Sequence, residues 1–283
     1  DTFELGKYQL GQLHLLAQNK TRRTEQGQTR DWALEKLQIS NPDGIFNASG
    51  QWIKDPQARS GVRRMELNFT LDFTNGGALL TRLGIADALK ATDGRLQGAI
   101  GWRGSPFSLD LATLRGQVNL DARKGQFLKA DAGAGRLLGV MSLQALPHRL
   151  TLDFRDIFSQ GFAFDTLSAD ARIENGVLNT KNLRMRSVAA TVLMEGSADL
   201  IQETQNLHVL VLPDINAGSA SLLYAALANP AIGIGTFLAQ MVLRQPLSKA
   251  FSFEYDITGA WADPQVKRRK KPEAEDTHPS SSQ

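Results

Sequence analysis

Cysteine is absent from all 283 residues. That single absence excludes disulfides, thiolate metal sites and thiol catalysis together. It also fits an oxidising compartment such as a periplasm, where a free thiol is a liability. Aromatic residues are few, at 7%, and Phe dominates them with 13. Charge of either sign is not in large excess. The formal net charge is +3, so nucleic acid is not an expected partner. Histidine is sparse. His14, His148, His208 and His278 are scattered, none at metal-ligand spacing from another, so no metal is expected. Nucleophile elbow, P-loop and zincin motifs are all missing, which leaves no residue set for an enzyme and no expected cofactor. Neither Met nor a signal peptide precedes Asp1, so the chain reads as a processed product or a fragment of something longer.

What the chain does have is a recurring strand motif: apolar residue, spacer, glycine, spacer, apolar residue. It occurs at Ala48-Ser49-Gly50-Gln51-Trp52, Leu96-Gln97-Gly98-Ala99-Ile100, Leu114-Arg115-Gly116-Gln117-Val118, Met194-Glu195-Gly196-Ser197-Ala198 and Ile257-Thr258-Gly259-Ala260-Trp261. Other strands alternate strictly. Met65, Leu67, Phe69, Leu71 and Phe73 share one face, and Glu66, Asn68, Thr70 and Asp72 the other, a period of two. Leu150, Leu152 and Phe154 repeat the pattern, as do Phe251, Phe253, Tyr255 and Ile257. Turn signals at Asn41-Pro42-Asp43-Gly44, Asn75-Gly76-Gly77 and Asn175-Gly176 separate the strands and imply an antiparallel meander.

Three stretches read as helix. Ala78 to Lys90 gathers Leu79, Leu80, Leu83, Ile85, Ala86 and Leu89 on one side, and Asp131 to Ala145 opens on an Asp cap and ends before Pro147. From Ile215 to Leu243 there is no charged residue. Asn229-Pro230 breaks this segment, so we read a helical pair over about 216–245 rather than one spanning helix. Helices apolar on nearly all sides must be buried in protein or membrane. Leu222, Leu223, Tyr224, Leu227, Ile234, Phe237, Leu238 and Met241 are therefore the candidate membrane-contacting residues. Residues 267–283, basic and then acidic with Pro and Ser, read as a disordered tail.

Two chemical motifs yield to plainer readings. Asp153 and Asp156 flank Phe154-Arg155, which places Asp153 on the polar face of a strand with a local ion pair. The run Gly133-Ala134-Gly135-Arg136-Leu137-Leu138-Gly139 departs from G-x-G-x-x-G and lacks alternating strands and helices around it.

Longer strings carry a resemblance. They include Lys124-Gly125-Gln126-Phe127-Leu128-Lys129, Gly135-Arg136-Leu137-Leu138-Gly139, Leu150-Thr151-Leu152-Asp153-Phe154-Arg155-Asp156, Phe158 to Asp165, Pro246 to Tyr255 and Thr258-Gly259-Ala260-Trp261. They resemble the C-terminal region of the YhdP family of AsmA-like envelope proteins, densely from about 94 to 264. The resemblance implies a bridge-like lipid transfer protein of Gram-negative envelopes. Such a protein is anchored in the inner membrane by an upstream segment, crosses the periplasm as a bent β-groove, and passes phospholipid acyl chains towards the outer membrane.

The expected architecture is thus mainly β: an elongated, curved antiparallel sheet with an apolar concave face over residues 1–266, a few short helices and a C-terminal helical pair. Its candidate lipid-binding residues are Met65, Leu67, Phe69, Leu71, Phe73, Leu150, Leu152, Phe154, Phe162, Phe164, Phe251, Phe253 and Tyr255. Expected partners are phospholipid acyl chains, the inner leaflet of the outer membrane and other envelope proteins. The competing expectation is an envelope scaffold, or an assembly factor for outer-membrane proteins, whose apolar face is a sealed core.

Overall fold

Alternation with period two becomes an antiparallel meander in the computed structural model, which describes residues 3–24, 27–55, 58, 61–128, 162–213, 234–235 and 252–269. The strands in chain order are β1 Phe3–Leu5, β2 Tyr8–Thr24, β3 Gly27–Asn41, β4 Gly44–Lys54, β5 Arg63–Phe73, β6 Leu89–Lys90 and β7 Asp93–Arg103. They continue as β8 Arg115–Phe127, β9 Phe162–Glu174, β10 Val177–Arg186, β11 Ala190–Asp199, β12 Thr204–Pro213, β13 Phe253–Ala260 and β14 Asp263–Arg268. Each pairs with its neighbour in sequence, except that β6 sits beside β8 and β5 passes directly to β7. The sheet is curved and open, with β1 and β14 as its two edges. At about 4.8 Å between strands, the thirteen in the main path cover roughly 58 Å.

Local chemistry fixes the turns. Asn175 and Gly176 both take positive φ, 50° and 77°, the backbone that a two-residue hairpin needs. Register shifts interrupt the pairing in β2, β3 and β10. Each such irregularity strengthens the local twist and bends the sheet. The three longest connections, after β5, β8 and β12, all leave from one margin, the loop-rich margin. The opposite margin, the turn margin, carries shorter links.

The first expected helix is real but shorter than the sequence suggested. Helix α1 spans Gly76–Arg82, capped by Asn75, whose side chain accepts the Ala78 N–H at 3.1 Å. It stops at Leu83 because Gly84 and Asp87 both take positive φ, and Leu89–Lys90 then forms β6 instead of a last helical turn. The helix expected at 131–145 and the strand at 150–154 lie outside the described residues. So do Phe251 and the helical pair, except Ile234–Gly235, which are helical. The first residues of the expected tail belong to the sheet. β14 runs through Lys267 and Arg268, and Arg269 still donates its N–H to the Glu254 carbonyl at 2.9 Å.

Candidate functional site

Residues opposite one another in an antiparallel pair point to the same face. The register therefore builds long rows across the inner face of the sheet. One row runs unbroken through twelve strands: Ala17, Leu34, Gly50, Leu67, Ile100, Gly116, Ile173, Leu178, Ala198, Gln205, Gly259, Pro264. Only Gln205 is polar. The next row towards the loop-rich margin runs Leu15, Leu37, Ala48, Phe69, Gly98, Val118, Ala171, Thr180, Gly196, Leu207, Ile257, Val266. Its one polar member, Thr180, is satisfied, because its hydroxyl donates to the Asp170 carbonyl at 2.7 Å.

The motif glycines Gly50, Gly98, Gly116, Gly196 and Gly259 all fall in these rows. For Gly50, Gly98, Gly116 and Gly196 the reason is steric, and for Gly259 it is a backbone φ of +90°. A Cβ on Gly50 would lie 2.1 Å from the Glu66 carbonyl oxygen, and one on Gly196, whose φ is +137°, 2.2 Å from that of Asn206. The backbones bend too closely there for any side chain. A glycine between two large residues also lets them meet over it. Thus Leu34 and Leu67 flank Gly50 and belong to one apolar cluster.

Of the expected groove residues, Met65, Leu67, Phe69, Leu71 and Phe73 stand together on this face through β5, and Phe162, Phe164, Phe253 and Tyr255 continue it through β9 and β13. Leu150, Leu152, Phe154 and Phe251 lie outside the described residues. The face is not uniform along its length. Around β4, β5 and β7 it is half-open, with Phe46, Leu67, Phe69, Leu71, Leu96 and Ile100 only partly covered. Around β9 to β13 it is packed shut, with Val192, Val209 and Ile257 at 0% exposure. Burial there raises the Tyr255 hydroxyl above its usual pKa, the Arg268 charge opposing weakly.

Sequence reasoning missed the aromatic turn margin. Trp32, Trp52, Met65 and Trp102 form one row across β3, β4, β5 and β7. The Trp52 and Trp102 indoles donate to the carbonyls of Gly104 and Ser105, at 2.6 and 2.9 Å, and Trp32 meets the exposed Phe107 at 6.4 Å. Arg63 lies over the Trp52 ring at 4.2 Å and donates to the Trp52 and Arg30 carbonyls. The signal was present, since Trp52 occupies the inner phase of the glycine motif.

The outer face is polar over most of its area. Buried Asp55, 2% exposed, accepts from Arg64 and Arg103 at 3.4 and 2.8 Å. Small Ala99 and Gly101 floor a recess of about 460 Å³ between Glu66 and Arg115. Burial would raise the Glu66 pKa, but hydrogen bonds from Gln51 and Arg64 outweigh it and leave this carboxyl below its usual range. Further along, His208 stands between Glu195 and Glu254, at 3.6 and 3.2 Å. Ile234, a candidate membrane contact, is 2% exposed, and its N–H donates to the Glu195 carboxylate at 3.0 Å. Its seven companions lie outside the described residues. Among the described residues no group of acidic or His side chains could hold a metal ion, and no helix is long and apolar enough to cross a membrane.

The family model of the YhdP protein matches residues 1–266. The chain belongs to the YhdP family. Within the family, the intermembrane phospholipid transporter YhdP of Escherichia coli K12 is 31% identical over 222 residues, which is 78% of this chain. This chain spans only 17% of that relative's length. No solved structure matches. The YhdP-family match takes in β1 to β13 and most of β14, so the whole inner-face row system falls inside it.

Proposed function

We propose that this chain binds phospholipid acyl chains along its inner face and conducts them across the periplasm, making and breaking no covalent bond. It would form the end of a longer bridge nearest the outer membrane. The observation that carries this reading is the pair of nearly continuous apolar rows, each crossing twelve strands of an open sheet. The part of that surface left half-open around β4, β5 and β7 needs an occupant, and the intermembrane phospholipid transporter among the relatives names a suitable one. The uncharged segment 215–243 is the proposed contact with the outer membrane's inner leaflet, without Ile234. An upstream inner-membrane anchor belongs to the same proposal, as do contacts with other envelope proteins.

A photo-crosslinking residue at Phe69, on the inner face, is expected to capture phospholipid in cells. One at Thr70, on the outer face, is expected to capture none. Equal capture from both positions would overturn the reading.

The packed cluster at β9 to β13 favours a second reading, an envelope scaffold with a sealed core. A chain purified without bound phospholipid, and equally stable when lipid is supplied, would support it.

A further inference from the structure

Just outside the row of Trp32, Trp52, Met65 and Trp102, the inner phase of the turn margin changes from aromatic to basic. Trp32 lies opposite Trp52, and Arg30 and Lys54 are the next inner-phase residues of β3 and β4. Lys54 in turn lies opposite Arg63 on β5. Three cations therefore stand on three neighbouring strands, about 7 Å beyond the aromatic row. Like charges directly opposite one another destabilise a sheet. The Arg63 guanidinium is fixed over the Trp52 ring by the Arg30 and Trp52 carbonyls, with the buried Asp31 carboxylate at 3.6 Å. Arg30 and Lys54 are exposed, and among the described residues neither side chain has an ion-pair or hydrogen-bond partner. The Asp55 carboxylate, one residue after Lys54, is already taken by Arg64 and Arg103. The row thus carries more positive charge than the described residues neutralise, and it borders the half-open part of the apolar face.

We propose that Arg30, Lys54 and Arg63 form a phosphate-binding rim, which holds the phosphodiester of a phospholipid whose chains lie along β4, β5 and β7. This rests on the lipid-groove reading. The inner face supplies each level of such a lipid in order. At the rim, two exposed cations offer charge-assisted hydrogen bonds to the phosphate, and Arg63 adds a fixed charge. Next comes the aromatic row, half-exposed at Trp32 and Trp52, at the level of the glycerol. Indoles suit such a boundary between apolar and wet surroundings. From Met65 to Phe73 the inner phase of β5 is then apolar for about 27 Å. One leaflet of hydrocarbon needs only about 15 Å. The headgroup is thus held at the turn margin, and the chain ends point to the loop-rich margin. A lipid without phosphate loses the rim and keeps only the contacts of its chains.

The test loads the full chain from vesicles containing equal amounts of phosphatidylethanolamine and diacylglycerol with the same acyl chains. Retained lipid is counted by mass spectrometry. The wild-type chain is expected to enrich the phospholipid about tenfold, equivalent to about 1.4 kcal/mol. The double variant Arg30→Gln, Lys54→Gln should return the ratio to that of the vesicles and retain diacylglycerol as the wild type does. Lys54→Gln alone, which should lower the enrichment, serves if the double variant does not fold. Arg95→Gln removes a cation from the outer face, opposite Asp72, and should keep the wild-type ratio. Equal retention of both lipids by the wild-type chain, enrichment that survives in the rim variants, or an equal loss in Arg95→Gln overturns the rim and leaves the groove intact. A melting temperature raised by inorganic phosphate, without enrichment of the phospholipid, assigns the rim to free phosphate and overturns it as a lipid site. A wild-type chain that retains neither lipid overturns the groove itself, and the rim with it.

Discussion

Phe69 on β5 lies opposite Gly98 on β7, and its ring would stand 3.1 Å from a Cβ placed on that glycine. The ring covers the floor that the glycine leaves bare, and the same strand then offers Thr70 to the outer face. The pair shows in miniature how the inner surface is made: large side chains are carried over glycines where the backbone curves too sharply for a Cβ.

Gly98→Ala tests that geometry. The new methyl would also lie 2.4 Å from the Gln117 carbonyl oxygen. Overpacking of this kind costs about 1–3 kcal/mol, so urea unfolding should shift by that amount. Ala99→Ser, on the outer face of the same strand, should leave the midpoint nearly unchanged.

Asp55 supplies a second test. Its carboxylate is buried beneath Arg64 and Arg103. Removing one member of a buried charge cluster leaves the others uncompensated, at a cost of about 3–5 kcal/mol. Asp55→Ala should lose most of that, measured by chemical denaturation. A change below the error of the measurement would show that the arginines find other partners.

Asp170 gives a pH signature. Hydrogen bonds from Asn119 and then Asn182 hold its carboxyl below the usual carboxylate range. A depressed folded-state pKa adds stability above the unfolded value, about 3.9, and that stability is lost as pH falls through the folded value. Wild type minus Asp170→Asn should therefore be constant from neutral pH down to about 5 and shrink below about 4. The residue is exposed, so the plateau should stay under about 1 kcal/mol.

The end of the sheet can be located by truncation. Ending the chain after Arg269 should leave the melting temperature unchanged. Ending it after Val266 removes Lys267 and Arg268 from β14, the Arg268 contact over Phe253 at 5.0 Å and the Arg269–Asp256 ion pair at 2.8 Å. That shorter chain should melt measurably lower.

Alternation in the sequence was enough to name the inner phase of β5 and β13, because a strand's side chains must alternate whatever it pairs with. The Asn175-Gly176 hairpin was legible for the same kind of reason, since few residues tolerate positive φ. Helix α1 was over-read: the apolar spacing continued past Leu83, but the backbone reverses at Gly84 and Asp87 and gives Leu89 to the sheet. The row of Arg30, Lys54 and Arg63 was invisible at that stage. Each is one basic residue near the end of a strand, where a basic residue is ordinary.

Composition, period and glycine spacing by themselves determined that this chain is an antiparallel sheet with one apolar face. Those are local properties, fixed by backbone geometry and by which side chains water rejects. Register, and therefore which residues join into rows, was decided only by tertiary structure. So were the packed cluster at β9 to β13 and the placing of Arg30 in one row with Lys54 and Arg63. Each depends on which strands lie side by side, and pairing between residues distant in the chain leaves no mark in any short stretch of sequence.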